Sequence, residues 1–200
     1  MTRANNERIA AWVRRGLPPE PLSERRLQFD AATRTLILHG TASRRGALPQ
    51  LYFRSPDQPT YSSVSDVFRT WAESRENQVI IQGETTVRSF VLVGSGSLVC
   101  LVSQTRGAIA TEGGTPLYDC GLLKFELSDS RCDLWPDLIF DGASCFVVEL
   151  IGSDGDSDTF YAVVGVPSPG GIGPVGFHVA KLTWSSRDVE ILAPHEDVVC

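Results

Sequence analysis

From residue 78 onward the chain is a succession of short apolar runs separated by stretches rich in Gly, Ser, Asp and Pro. The runs are enriched in Val, Ile, Leu, Phe and Thr, which favour strands; they read QVIIQG, TVRSFVLV, SLVCLVS, LLKFELS, CFVVELI, FYAVVGV, FHVAKLTW and DVEIL. This pattern predicts an antiparallel meander. Its clearest hairpin is FVLVGSGSLVCLV, where a glycine-containing turn joins two apolar runs. LQFDAATRTLIL, residues 27–38, predicts an earlier hairpin.

The first residues of the chain show helical periodicity instead. The segment NNERIAAWVRRGLPPEP predicts a short helix that Asn5 or Asn6 caps and that Gly16 and the following prolines end. Its apolar stripe is narrow, and consists of Ile9, Trp12 and Val13. We therefore expect residues 1–20 to form an N-terminal helix and linker, followed by a mainly β domain over residues 21–200.

A stronger helical signal lies inside that domain, at residues 63–76. Ser63 and Asp66 have the spacing of a capping box. The apolar residues after the cap recur at intervals of three and four, as on one face of a helix; they are Val64, Val67, Phe68 and Trp71. Taken together, the patterns predict a mainly β fold of antiparallel hairpins, propeller-like in organisation, with one or two N-terminal helices. A single α+β domain is the alternative.

Three hairpins share one order of residue types. RLQFDAATRTLIL, KFELSDSRCDLWP and KLTWSSRDVEILAP each begin with a basic residue and an alternating strand. Each then passes through a polar turn that ends in Arg34, Arg131 or Arg187, and continues into another strand. The starts of the three copies are separated by about two periods and one period of roughly 50 residues, which is the spacing of kelch repeats.

Two stretches carry a resemblance to kelch-type β-propellers, of the kind found in F-box and related adaptor proteins. In GAIATEGGTPLYDCGLLKFELSDSRCDLWPDL a double glycine follows a strand, and a tyrosine, a second strand, a turn and Trp135 come after it. The stretch FYAVVGVPSPGGIGPVGFHVAKLTWSSRDVEILAP is similar, but Val189 or Ile191 stands in place of the tryptophan. The resemblance covers mainly residues 107–194, and implies propeller-like repeats in a protein-interaction module. A chain of this length holds about four blades at this period.

Charge and hydropathy restrict the classes of partner. The net charge of -6 argues against a nucleic-acid or anionic-membrane surface, because both require a local excess of Lys and Arg. The longest apolar runs are far shorter than the roughly 20 residues that span a bilayer. The N-terminus lacks the apolar stretch of a secretory signal. We therefore expect a cytoplasmic protein without nucleic-acid or membrane partners.

The chain has five cysteines at irregular spacing and no C-x-x-C pair. Most of them lie in apolar, strand-like runs, so we expect buried thiols in a reducing compartment, without a disulfide. The five are Cys100, Cys120, Cys132, Cys145 and Cys200.

The segment PSPGGIGPVGFHVAKLTW contains a G-x-G-x-x-G formed by Gly171, Gly173 and Gly176. A dinucleotide-binding motif of this kind needs a strand directly before it and a helix after it. FYAVVGV is a suitable preceding strand, and Glu196 has the spacing of a ribose ligand. However, PSPG separates the strand from the glycines, and the apolar residues of FHVAKLTW fit the alternation of a strand as well as the periodicity of a helix. We therefore interpret the glycines as a turn between two antiparallel strands. Whether residues 179–184 form a strand or a helix decides between the two.

Other candidate chemistry is sparse. The start of a calcium-binding loop is matched by the alternating Asp154, Asp156 and Asp158. However, Thr159 and Gly165 occupy the positions where an EF-hand needs glycine and glutamate, respectively. A turn between two strands is the preferred interpretation. The sequence has no metal-binding spacing and no G-x-S-x-G. The histidines are scattered, at His39, His178 and His195, and are expected to be structural.

The four tryptophans are expected to anchor helices and hairpins in the core; they are Trp12, Trp71, Trp135 and Trp184. The sequence thus favours a non-enzymatic protein-interaction module that binds a protein partner and no cofactor. Two alternatives stay open: a fragment of an oxidoreductase that binds a nucleotide cofactor through Gly171, Gly173 and Gly176, and an acidic, immunity-type protein with a basic partner. The oligomeric state is left undecided.

Overall fold

The computed structural model describes residues 22–42, 49–74, 79–81, 84–94, 96–105, 109–111, 120–135, 138–155, 158–168 and 175–194. Within these ranges the protein is mainly β, as predicted, with three antiparallel sheets and one short helix. The predicted N-terminal helix and linker lie outside the described residues.

Sheet I is a four-stranded meander in chain order, which includes the predicted early hairpin. Its strands are β1 (Leu22–Asp30), β2 (Thr35–Ala42), β3 (Pro49–Arg54) and β4 (Ser62–Ser63). The helix α1 (Val64–Ala72) follows at once, capped by the Ser63 hydroxyl, which accepts a hydrogen bond from the Asp66 backbone N–H at 3.4 Å. The predicted helix is thereby confirmed, although it ends four residues earlier than expected.

Sheet II has the strand order β10-β9-β7-β6. Its strands are β6 (Glu84–Val93), β7 (Ser97–Thr105), β9 (Cys120–Glu126) and β10 (Cys132–Trp135). The short strands β5 (Val79–Ile81) and β8 (Ile109–Thr111) pair separately. The predicted hairpin at β6 and β7 is confirmed, with Gly94 and Gly96 at positive φ in its turn.

Sheet III is a five-stranded meander in chain order. Its strands are β11 (Leu138–Phe140), β12 (Ala143–Ser153), β13 (Thr159–Val166), β14 (Gly176–Thr183) and β15 (Asp188–Pro194). The edge strands β11 and β15 also contact each other, so this sheet curls towards a half-barrel. An Asp141–Gly142 turn with both residues at positive φ joins β11 to β12.

Sheet II lies between the other two sheets. Strand β7 contributes to the core on each side, which explains why the sequence of β7 is continuously apolar. Leu98, Cys100 and Val102 belong to the core shared with sheet I and α1. Val99 and Leu101 alternate with them, and belong to the core shared with sheet III. A strand that is buried on both faces has no polar face to display, so its apolar run is unbroken.

A β-bulge keeps both faces of β6 apolar. The pairing with β7 shifts between Val87 and Ser89, so Val87 and Phe90 lie on the same face although they are three residues apart. Val91 and Val93 then face sheet III. The bulged Ser89 accepts a hydrogen bond from the Leu150 N–H at 3.2 Å, which ties β6 to β12.

The three hairpins predicted to share a pattern have the same turn geometry. In each, a four-residue turn ends in a residue at positive φ: Arg34 at 56°, Ser130 at 59° and Arg187 at 59°. In the second hairpin this position precedes Arg131, one residue earlier than the alignment of arginines implies. Sheets II and III also share a hydrogen bond from the first turn residue, Leu127 or Trp184, to the neighbouring turn of the same sheet.

Candidate functional site

The outer side of sheet III carries a group of apolar side chains that faces away from sheet II. Alternation along β13 and β14 separates these side chains from the core residues Phe160, Ala162, Ala180 and Leu182. We call this outer surface the apolar face; it consists of Phe146, Val148, Ile151, Tyr161, Val163, Phe177 and Val179.

The residues of the apolar face form aligned rows across the strands. Phe146, Gly165 and Phe177 are in register in one row. Val163 and Val179 are opposite each other in the adjacent row along the strands, towards Tyr161. Cross-strand neighbours on one face lie about 5 Å apart, so these side chains form one continuous group, in which Val163 is buried and the others are partly or more fully exposed.

Several of these side chains are exposed to an extent that is unusual for their chemistry. Phe146 and Val148 are each 38% exposed and Ile151 is 55% exposed. An antiparallel sheet with one solvated face normally alternates apolar and polar residues. A contiguous apolar patch on such a face is typical of a binding surface.

Two bulges in β12 produce this surface. Pairing with β13 shifts between Val147 and Glu149, and again between Leu150 and Gly152. Val147 and Leu150 therefore both face the core, while the intervening Val148 and the following Ile151 are exposed. Each bulge adds one residue that the core cannot accommodate.

Gly165, in the middle of the first row, leaves space for the Phe146 ring. A Cβ at this position would lie 2.7 Å from Cε2 of the Phe146 ring, which is shorter than any ordinary contact. The glycine therefore allows the ring to lie flat over the backbone of β13. The Phe146 ring thus covers the part of the β13 backbone that a larger side chain at position 165 would cover.

Charged residues lie both within the apolar face and beside it. Lys181 pairs across the strands with Glu190, and is also in register with Tyr161. Glu149 is exposed and pairs with Val163, so its carboxylate lies in the row of Val163 and Val179, within the apolar face. The surface is therefore mainly apolar, with one carboxylate inside it and the Lys181–Glu190 pair beside Tyr161.

The structure places the predicted glycine motif at the start of a strand. Gly176 is the first residue of β14, which runs antiparallel to β13 over its whole length. Gly171 and Gly173 lie outside the described residues. The helix that a dinucleotide motif requires after its last glycine is replaced here by a strand. The interpretation as a connection between antiparallel strands is confirmed at Gly176.

The aspartates of the calcium-like stretch lie between β12 and β13, as predicted. Asp158 accepts hydrogen bonds from the Ser185 backbone N–H at 3.0 Å and from its hydroxyl. Its backbone carbonyl accepts from the Trp184 N–H at 2.8 Å. Asp158 therefore ties two turns of sheet III together; Asp156 is outside the described residues.

The described histidines lie in different sheets. Nε2 of His39 is 2.9 Å from the Val87 carbonyl oxygen, and its ring packs against Phe90. His178 is on β14, opposite Val164. His39 thus has the structural role that was expected for a strand histidine. His195 lies outside the described residues.

The thiols of Cys100 and Cys132 are poor nucleophiles in this environment. Burial raises the pKa of Cys132 to about 12. Burial also raises the pKa of Cys100, and the neighbouring Cys132 raises it further. Because the thiolate is the reactive form, both shifts suppress nucleophilic chemistry near neutral pH. Cys100, Cys132 and Cys145 form no disulfide.

Trp135 and Trp184 are core anchors at the junction of sheets II and III, as predicted. Both are buried, and their rings meet edge to face with centroids 5.8 Å apart. The Arg187 guanidinium lies 4.4 Å from the Trp184 ring centroid and 5.3 Å from that of Trp135. Trp71 packs against Phe68 on α1. Trp12 is outside the described residues.

Reasoning from the sequence missed the apolar face, although a signal for it is present. CFVVELI is apolar at six of its seven positions, with Glu149 as the exception, whereas a strand with one solvated face alternates. In β7 the same pattern reflects burial on both faces. In β12 it reflects a second face on which Phe146, Val148 and Ile151 are exposed.

No helix in the described part of the chain is long and apolar enough to cross a membrane. A scan against models of protein families and a search of curated proteins both found no match to this sequence.

Proposed function

We propose that this protein is a non-enzymatic protein-interaction module, similar in organisation to kelch-type propeller adaptors, and that it binds a protein partner through the apolar face of sheet III. The observation that carries the proposal is the row of Phe146, Gly165 and Phe177, where aromatic side chains lie on the outside of a sheet.

The chemistry of the surface suits a protein rather than a small molecule. The apolar face is spread over three strands, with Phe146 and Ile151 exposed near its two ends. Small-molecule sites are concave and enclose most of the ligand. Protein interfaces combine apolar and aromatic area with charged groups, which here are Glu149 within the face and Lys181 and Glu190 beside it.

The repeated hairpin geometry supports the similarity to propellers. Sheets II and III are both antiparallel meanders with equivalent turns ending at Ser130 and Arg187. In both sheets the first residue of that turn binds the turn between the first two long strands. The buried thiols Cys100 and Cys145 fit a reducing compartment, which agrees with a cytoplasmic location.

The proposal is tested by comparing proteins captured on the immobilised wild-type chain with those captured on Phe146→Glu and Ser128→Glu. Ser128 is exposed in the turn after β9, so its variant adds the same charge away from the apolar face. A partner held by the wild type and Ser128→Glu but lost with Phe146→Glu supports the proposal. Calorimetry with the purified partner should then give a negative heat-capacity change. Identical partners for all three proteins would overturn it.

A further inference from the structure

The apolar face has a similar arrangement of side chains on the two sides of strand β13. Phe146 on β12 and Phe177 on β14 are both in register with Gly165 of β13, which has no side chain. In the adjacent row, Val163 of β13 is buried among its neighbours, and Val179 of β14 lies beside it. A line along β13 therefore divides the face into two halves, and each half contains one aromatic ring.

The two halves carry charges of opposite sign. Glu149 on β12 is in register with Val163, and Lys181 on β14 is in register with Tyr161, one row further along. Lys181 also lies opposite Glu190 of β15, but the described part of the chain contains no ion pair that involves Glu149 or Lys181. Covering an unpaired carboxylate with apolar groups is costly. A protein that packs on this face therefore has to place a cation near Glu149.

Gly152 leaves room for a long side chain close to Glu149. It is in register with Tyr161, so it occupies the same row as Lys181, on the opposite side of β13. A Cβ at Gly152 would have no atom within 4 Å, so the space above this residue is open. Neighbouring rows on one face are about 7 Å apart along the strands, a distance that the four-carbon stem of a lysine can span.

We infer that two copies of this chain pack through their apolar faces, about a twofold axis that runs parallel to β13. The inference rests on the proposed function, because it names a second copy as the protein that binds this face. Such an axis places β12 of one copy opposite β14 of the other, and every contact occurs twice. Phe146 then meets Phe177 of the other copy. Lys181 of the other copy lies over Gly152, next to Glu149.

The occupant is a second copy because a twofold contact requires a surface that matches itself. The apolar face meets this requirement in shape and in charge, since an aromatic ring meets an aromatic ring, and an anion meets a cation beside a glycine. Sheets that pack face to face keep their strand directions within about 30° of each other, which keeps β12 over β14. The contact also covers Val148 and Ile151, which are 38% and 55% exposed in one copy.

The experiment measures the mass of the 200-residue chain by sedimentation velocity over a range of concentrations. We expect a dimer of twice the 21.8 kDa chain mass. Glu149→Lys and Lys181→Glu each place like charges at both symmetric contacts, so each should raise the dimer dissociation constant about tenfold or more. Glu73→Lys is the matched control. Glu73 is exposed at the end of α1, away from sheet III, so the same change of charge there should leave the dimer unchanged.

Mixing the two charge-reversed variants tests the twofold arrangement. In a heterodimer of Glu149→Lys with Lys181→Glu, both contacts again join opposite charges. The mixture should therefore form dimers at concentrations where each variant alone is monomeric. A folding defect in either variant cannot produce this rescue. A mixture that stays monomeric, or a Glu73→Lys variant that dissociates as readily as Glu149→Lys, would overturn the inference.

The state of the wild-type chain separates this inference from the proposed function. A monomeric wild-type chain would overturn the inference, but not the proposed function if a different protein still binds in a Phe146-dependent manner. A dimer that neither Glu149→Lys nor Lys181→Glu weakens is held by another surface, and would also overturn the inference. Assemblies larger than a dimer would do the same, because a twofold contact closes on itself.

Discussion

Arg187 and Asp133 join the edges of sheets III and II through a 2.8 Å contact between Nη2 and Oδ2. The same Oδ2 accepts a hydrogen bond of 2.6 Å from the Trp184 indole N–H. Arg187 also lies over the Trp184 and Trp135 rings, so one carboxylate and two aromatic rings hold its side chain. These contacts connect the last turn of sheet III to the edge strand of sheet II.

Glycine substitutions at Arg187 and Arg34 should have opposite effects. Both residues are at positive φ in equivalent turns, where a non-glycine residue is strained by about 1 kcal/mol. Arg34 is exposed, so we expect Arg34→Gly to be neutral or slightly stabilising. Arg187→Gly also loses the cation–π and carboxylate contacts, and should destabilise by about 1–2 kcal/mol. Urea unfolding measures both, and equal effects would contradict the assigned role of Arg187.

Asp133→Ala should destabilise the protein more than Asp129→Ala, although both carboxylates are exposed. Loss of the carboxylate leaves the indole N–H of buried Trp184 without its acceptor, at a cost of about 1–3 kcal/mol. Asp129→Ala, which breaks the exposed pair with Arg131, is the control and should cost at most about 1 kcal/mol. Thermal unfolding of the two variants tests the difference. A larger loss with Asp129→Ala would refute it.

Gly165→Ala should displace the Phe146 ring from the backbone of β13. The new Cβ would overlap the ring, so we expect a loss of about 1 kcal/mol in the free energy of unfolding. Gly152→Ala is the matched control, because no atom lies within 4 Å of its Cβ position. Upfield-shifted Gly165 Hα protons in the NMR spectrum would identify the ring in the wild type. An unshifted wild-type resonance would count against this placement.

The raised pKa of Cys132 predicts a loss of stability at alkaline pH. The unfolded thiol ionises from a pKa near 9.0, whereas the folded thiol keeps its proton until about pH 12. Its contribution to stability is therefore complete below pH 9 and declines above it, by at most about 1.4 kcal/mol per pH unit. Cys132→Ser removes this group, so its free energy of unfolding should fall less between about pH 9 and pH 11 than that of the wild type. Parallel declines in urea unfolding would contradict the prediction.

The sequence predicted most strands because local patterns identify them. The alternating or continuous apolar runs from residue 78 onward all correspond to strands, and Ser63 caps the helix as its spacing indicated. It did not predict β3 or β11, because PQLYFR includes a proline and an arginine, and LIF is very short. The glycine motif was ambiguous locally, and pairing of β13 with β14 resolved it.

The sequence signal did not locate the candidate site, because the runs LVCLV in β7 and CFVVELI in β12 are both largely apolar, although Glu149 interrupts the second. The first is covered by a sheet on each side, and the second has a core on one side and exposed Phe146 and Val148 on the other. The sequence by itself determined the mainly β content, the hairpin turns and the acidic charge, since these depend on neighbouring residues and composition. Only the tertiary structure decided which strand faces were covered, because covering a face requires contacts between residues far apart in the chain.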